Sequence, residues 1–178
     1  MDRVGEGFGI VPTERDGVLR SDGTTILAAD DVSGICAILE GLRQSISCGR
    51  PLPRLEVLFT VSEEVGLLGA KQMDASRFQS KIGLFFDSSG PTGRIINTAP
   101  GMYFLARRAC GAVGLKCLEE PGGGGMDANV FNARGISSVG IATGYYKNHT
   151  KEEYLVMEDF YRTGELAAAM IQLYGETD

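Results

Sequence analysis

Leu55-Glu56-Val57-Leu58-Phe59-Thr60-Val61-Ser62-Glu63-Glu64 is the stretch that decides the fold. From Leu55 to Val61 only Glu56 and Thr60 are polar, and β-branched and aromatic residues dominate. That is the pattern of a strand buried on both faces of a sheet. The run stops at Ser62, and two adjacent carboxylates follow. The same design recurs on either side. Thr24 to Ala29 is a short strand-like run that stops at Asp30-Asp31, and Ile82 to Phe86 is another that stops at Asp87. Ser137 to Ala142 is a further strand, followed by a loop that carries His149. Helical spacing fills the gaps. Ile35, Ile38, Leu39, Leu42 and Ile46 make one apolar stripe, residues 103–115 read as helix, and Phe160, Gly164, Ala167, Ile171 and Tyr174 share one face of a last helix from about Glu158 to Tyr174. Short helices are expected through Leu67, Leu68 and Lys71 and from Asp127 to Asn132, and Ile95 to Thr98 reads as an edge strand. Residues 1–20 are Gly-rich and weakly patterned. Strands alternating with helices indicate α/β architecture around a largely parallel sheet.

A chain of 178 residues is expected to form one domain with a sizeable core. Its 43% hydrophobic and 22% charged content is that of an ordinary globular protein. The net charge of -6 argues against nucleic acid as a partner, because phosphate binding needs a concentrated basic surface. Cys36, Cys48, Cys110 and Cys117 form no C-x-x-C pair and read as free thiols of a reducing compartment. No leader pattern opens the chain and no apolar run approaches membrane length, so a cytoplasmic protein without membrane contact is expected.

In open parallel sheets, ligands bind beyond the carboxyl ends of the strands. If these strands are parallel neighbours, Asp30, Asp31, Glu63, Glu64, Asp87 and His149, the only histidine, meet on one rim. Carboxylates so crowded repel strongly, and a divalent cation is the simplest group that would hold them together. Taken singly, each acid is as well explained as a helix cap or first-turn residue, and a lone histidine as a surface residue. Carboxylate and imidazole donors without thiolate suit zinc, and also manganese or cobalt. The Glu63-Glu64 pair then divides between a metal ligand and a general base. Gly122 to Gly125 lack a following Gly-Lys-Ser/Thr, and Ser88-Ser89 lack a G-x-S-x-G elbow, so neither a phosphate loop nor a serine hydrolase is indicated.

At this point a resemblance becomes specific. Ser21 to Asp31 (SDGTTILAADD), Phe59 to Ala70 (FTVSEEVGLLGA), Phe86 to Gly90 (FDSSG), Gly123 to Asn129 (GGGMDAN) and Asn148-His149-Thr150 occur in order along most of the chain. Together they resemble the catalytic domain of peptidase T-like enzymes, in the wider superfamily of dizinc aminopeptidases and deacylases. The resemblance implies a three-layer α/β/α domain with a mostly parallel central sheet. It implies that Asp30 bridges two zinc ions, that the Asp30–Asp31 peptide is cis, that Glu63 is the general base and Glu64 a ligand of one metal. Asp87 would bind the other metal, His149 would complete the Glu64 site, and Asp2 would orient a ligand. Gly124, Gly125, Met126, Asp127 and Asn129 fall in the loop that receives a short peptide substrate.

Three departures from the family pattern stand out. The histidine expected two residues before Asp2 is not in the sequence, nor are the first strands of the sheet. The lid domain, through which the family often dimerises, is absent near residues 103–106. The expectation is one well-occupied zinc position and a weak or empty second, with the oligomeric state open. The implied activity is hydrolysis at the amino end of short peptides by metal-activated water. Deacylation of N-acyl amino acids on the same metal core is the first alternative, and a non-catalytic metal-binding remnant is the second.

Overall fold

The computed structural model describes residues 3–5, 7–122 and 124–176. Asp16-Gly17 turns the chain into its first hairpin, between β1 (Pro12–Arg15) and β2 (Val18–Ser21). Both turn residues have positive φ, 52° and 74°, the mirror-image turn that suits the twist of a hairpin and that an Asp-Gly pair favours. This hairpin lies in the region that composition alone left unpatterned. The next stretch corrects a second reading. Residues 24–28 join no strand, and lead instead as irregular backbone into α1 (Ala29–Ser47). Asp30 and Asp31 themselves have non-helical backbone angles, so the regular helix begins after them.

Beyond α1 come α2 (Leu68–Gln72), a single 3-10 turn (Ala75–Arg77), β3 (Ile82–Ser88), β4 (Arg94–Ile96), α3 (Met102–Ala112) and β5 (Leu118–Glu119). The chain continues with α4 (Asp127–Ala133), β6 (Ser137–Ala142), β7 (Tyr145–Tyr146), β8 (Tyr154–Val156) and α5 (Met157–Gly175). One four-stranded sheet has the order β3-β6-β4-β5, the other β1-β2-β8-β7. In the first, β3 runs parallel to β6 and β4 parallel to β5, while β4 and β6 are antiparallel. Strand β4 therefore lies inside the sheet, not at its edge as its short apolar run suggested. The second sheet is antiparallel throughout.

The period of two along the strands sorts the first sheet into two faces. Phe86, Ile95, Val139 and Ile141 pack with Ala37 of α1, Ala106 of α3, and Leu166 and Met170 of α5. On the opposite face, Phe85 and Ile96 pack with Met126 and Ala128 at the start of α4. Helices on both faces of a mixed sheet make the α/β/α sandwich.

The stretch that reads most strongly as a strand, Leu55 to Val61, joins no ladder among the described residues. Val57, Phe59 and Val61 are 49%, 44% and 62% exposed. A cavity of about 450 Å³ separates Leu55–Thr60 from Ile82–Asp87, with Ile38, Leu42 and Tyr174 among its other lining residues. Strand character in a sequence reports side chains suited to a pleated, buried surface, but a ladder also needs a neighbouring edge within about 5 Å. Here the segment is held by side chains instead. The Glu56 carboxylate accepts from the Gln79 and Ser80 amides, and the Thr60 hydroxyl donates to Asp127.

Candidate active site

The start of α1, the end of β3 and the turn after Ser62 supply the acids, and the loop between β7 and β8 supplies His149. The Asp30–Asp31 peptide is cis. Ala28, Ser62 and His149 have φ of 59°, 59° and 65°. Left-handed backbone is uncommon for residues other than glycine, and such positions cluster at functional sites. Here each of the three lies within two residues of, or is itself, an expected site residue.

Glycines permit two close approaches. A Cβ on Gly34 would lie 1.9 Å from the carbonyl oxygen of Phe86, so only glycine lets α1 meet the end of β3. A Cβ on Gly69 would lie 2.4 Å from the carbonyl oxygen of Val61. The amides of Gly66 and Leu67 donate to the Glu63 carbonyl and that of Gly69 to the Val61 carbonyl, which folds the Glu63-Glu64 turn tightly against α2.

Asp30, Glu64 and His149 meet. His149 Nε2 lies 2.9 Å from Glu64 Oε1 and 3.0 Å from Asp30 Oδ2. The three side chains offer one donor atom each, all within 4.8 Å of one another. Asp87 sits where the pairing of β3 with β6 shifts register between Phe86 and Ser88, an irregularity of the kind that re-aims a side chain near a site. Burial, reinforced by the charges of Asp30, Glu63, Glu64 and Asp127, pushes the Asp87 carboxyl up to about 9. Burial also raises Asp31 well above the carboxylate range, with Asp87 and Asp30 adding to the shift. The Tyr145 phenol is raised too, first by burial and then by Asp30 and Asp87. These groups all respond to one concentration of negative charge in a partly dry rim. Two carboxylate oxygens and an imidazole nitrogen at this spacing, beside further buried acids, fit a divalent cation of the zinc, manganese or cobalt type.

The glycine-rich loop is divided. Gly124 and Gly125 are exposed, and a Cβ on Gly125 would stand 3.5 Å from the Leu67 side chain, which places this loop beside the Glu63-Glu64 turn. Met126 is buried with Ile96 and Ala128. Asn129 caps α4, its Oδ1 accepting from the Met126 amide at 2.9 Å. Asp127 is buried, receives the Thr60 hydroxyl at 2.6 Å and adds to the field on Asp87. Asp2 lies outside the described residues.

Two further residues belong to the site. Asn148 Nδ2 donates to Asp30 Oδ2 at 2.8 Å. Glu153, 1% exposed, accepts the backbone amides of Leu27, Ala28 and Asp30. The sequence reading noted Asn148 only as a neighbour of His149 and passed over Glu153. The adjacent acids Glu152 and Glu153 look alike in sequence. Their difference comes from the alternation that puts Leu155 inside, and Glu153 with it.

Residues 15–172 match the sequence model of peptidase family M28. The chain belongs to peptidase family M28. Among curated proteins, the uncharacterized protein YqjE of Bacillus subtilis is 40% identical over 104 residues, covering 56% of this chain and 27% of that protein. Peptidase T of Salmonella schwarzengrund is 36% identical over 75 residues, covering 41% of this chain and 18% of that protein. The matches thus span well under half the length of either relative. Among solved structures, aminopeptidase PepT of Bacillus cereus superposes with a TM-score of 0.91 at 23% identity, over 96% of this chain and 78% of that one. A tripeptidase of Staphylococcus aureus superposes with a TM-score of 0.87 at 18% identity, over 94% and 77%. At these identities the likeness establishes the fold alone, the α/β/α sandwich described above.

Proposed function

We propose that this chain is the catalytic core of a zinc-dependent aminopeptidase that hydrolyses the amino-terminal peptide bond of short peptides. The observation that carries the reading is the meeting of Asp30, Glu64 and His149 within 4.8 Å from three distant parts of the chain. Membership of M28 and similarity to proteins named peptidase T, aminopeptidase and tripeptidase support the substrate class. Among the described residues no helix is long and apolar enough to cross a membrane, which agrees with an enzyme acting on dissolved peptides.

In this reading Asp30, Glu64 and His149 hold the metal, and Asp87 faces Asp30 from the β3 side as a ligand of a second, weaker position. A bound divalent cation supplies Lewis acidity, polarising the scissile carbonyl and making a neighbouring water easier to deprotonate. Glu63, adjacent to Glu64 on the same turn, takes that proton and passes it to the departing amine. Asp127, whose negative charge is felt at Asp87, attracts the ammonium of a peptide's first residue. Gly124 and Gly125 leave room for its main chain beside Leu67, while Asn129 and Met126 keep the loop in place through α4. Asn148 restrains the Asp30 carboxylate.

Glu63→Gln tests the assignment. With zinc or cobalt added, tripeptide hydrolysis is expected to fall by about 10²–10⁴-fold while metal content is unchanged. Equal hydrolysis by both proteins contradicts the general-base role. A parallel panel of N-acyl amino acids separates peptidase from deacylase, and the expected preference is for peptides with a free amino end.

A further inference from the structure

The Glu153 carboxyl is buried, and both of its oxygens are engaged. Oε2 accepts from the amides of Leu27 at 3.0 Å and Ala28 at 2.8 Å, and Oε1 from the amide of Asp30 at 2.9 Å. Residues 24–28 belong to no helix or strand, so these buried amides have no ladder to satisfy them. Glu153 itself stands at the end of the His149 loop, where its own amide donates to the Thr150 carbonyl at 3.1 Å and closes the turn. From the other end of that loop Asn148 donates to the Asp30 side chain. Asp30 is therefore gripped at its main chain and its carboxylate by the two ends of the segment that carries His149.

We propose that Glu153 is a positioning residue that fixes the main chain of Asp30 against the His149 loop and so sets the Asp30–His149 spacing required to hold one cation. This rests on the metal-centre reading above. A structural alternative, in which Glu153 only satisfies buried amides, makes a different forecast. In Glu153→Gln the amide oxygen keeps the Leu27 and Ala28 bonds, because one oxygen accepts both. The amide nitrogen then meets the Asp30 amide donor to donor, so the bond lost is the one to the ligand residue.

The experiment is cobalt titration of the 178-residue chain by calorimetry and by the visible absorption of the bound ion, alongside thermal melting of the metal-free proteins. Glu153→Gln is expected to bind cobalt about 10–100-fold more weakly, with an altered visible spectrum. Leu166→Ala, a truncation in the buried core of the sandwich, provides a control that lowers the melting temperature without changing the spectrum of the bound ion. Glu153→Asp, which keeps the charge but shortens its reach, is expected to fall between wild type and Glu153→Gln. It serves as the test should the Gln protein not fold.

Wild-type affinity and spectrum in either folded variant overturn the positioning role and leave the metal centre intact. An equal loss in Leu166→Ala also overturns it. A wild-type chain that takes up no cobalt removes the metal centre and this proposal together.

Discussion

Two segments bring the proposed ligands to the same rim and are held in different ways. The Asp30 turn and the His149 loop are joined by buried hydrogen bonds through Glu153 and Asn148, and they rest on the packed α1–α5 side of the sandwich. Glu64 instead follows Leu55–Val61, a segment with no ladder partner among the described residues and with alternate side chains in solvent. Half of the proposed centre is thus preset by the fold, and the other half follows a segment held by a few side-chain contacts and, at its Val61 end, by the backbone bonds of the turn against α2. A cation shared by Asp30, Glu64 and His149 would connect the two halves and stabilise the looser one most.

Hydrogen exchange should show the largest contrast. In the metal-free chain, amides of Leu55–Val61 are expected to exchange at least about 100-fold faster than those of Val139–Ile141, because exchange follows local opening. Adding zinc should slow the Leu55–Val61 amides by about 10-fold or more and leave β6 unchanged. Equal protection of both segments before zinc would erase the distinction, and no response to zinc would uncouple Glu64 from the centre.

A smaller effect concerns pH. Asp87 is pushed up to about 9 in the folded metal-free chain, against an unperturbed value of 3.8. Between these values the folded state holds a proton that the unfolded chain has released, so stability falls as pH rises through the window. The metal-free melting temperature is expected to be at least about 3 °C higher at pH 5.5 than at pH 8.5, with Asp87→Asn flattening the slope. A melting temperature that rises with pH, or a slope that Asp87→Asn leaves intact, would show that Asp87 is not buried among acids as described.

Much of the fold was legible because periodicity reports burial directly. The helices α1 and α5 and the apolar runs of β3 and β6 each appear within a few residues of their expected place, but α1 buries its small residues Ser33, Gly34, Ala37, Gly41 and Ser45, while Leu39 and Ile46 of its apolar stripe are exposed. Pairing was less legible, since it depends on partners distant in sequence. Leu55–Val61 has a strand's composition without a strand's neighbour, and β4 looked like an edge because a strand as short as β5 leaves little trace. The first hairpin is marked in the sequence by Asp16-Gly17, a signal diluted by the surrounding glycines.

The site divides along the same line. Asp30, Glu64 and His149 could be picked out from acids and a histidine following apolar runs, but two of those runs are irregular backbone, and the meeting comes from turns and loops that the fold brings together. Glu153 could not be chosen over Glu152 by residue type. Its role arises from unpaired amides at Leu27, Ala28 and Asp30, which exist only because residues 24–28 leave regular structure. Met126 and Asn129 show the converse: residues marked by the loop they belong to, whose observed contacts lie in the core and in a helix cap.

Zinc titration of the metal-free chain beside Glu64→Ala and His149→Ala tests the central claim most directly. Calorimetry is expected to give one tight equivalent for the wild type, with affinity reduced at least about 100-fold in each variant. No zinc uptake by the wild type, or unchanged affinity in both variants, would contradict a cation centre built on Asp30, Glu64 and His149.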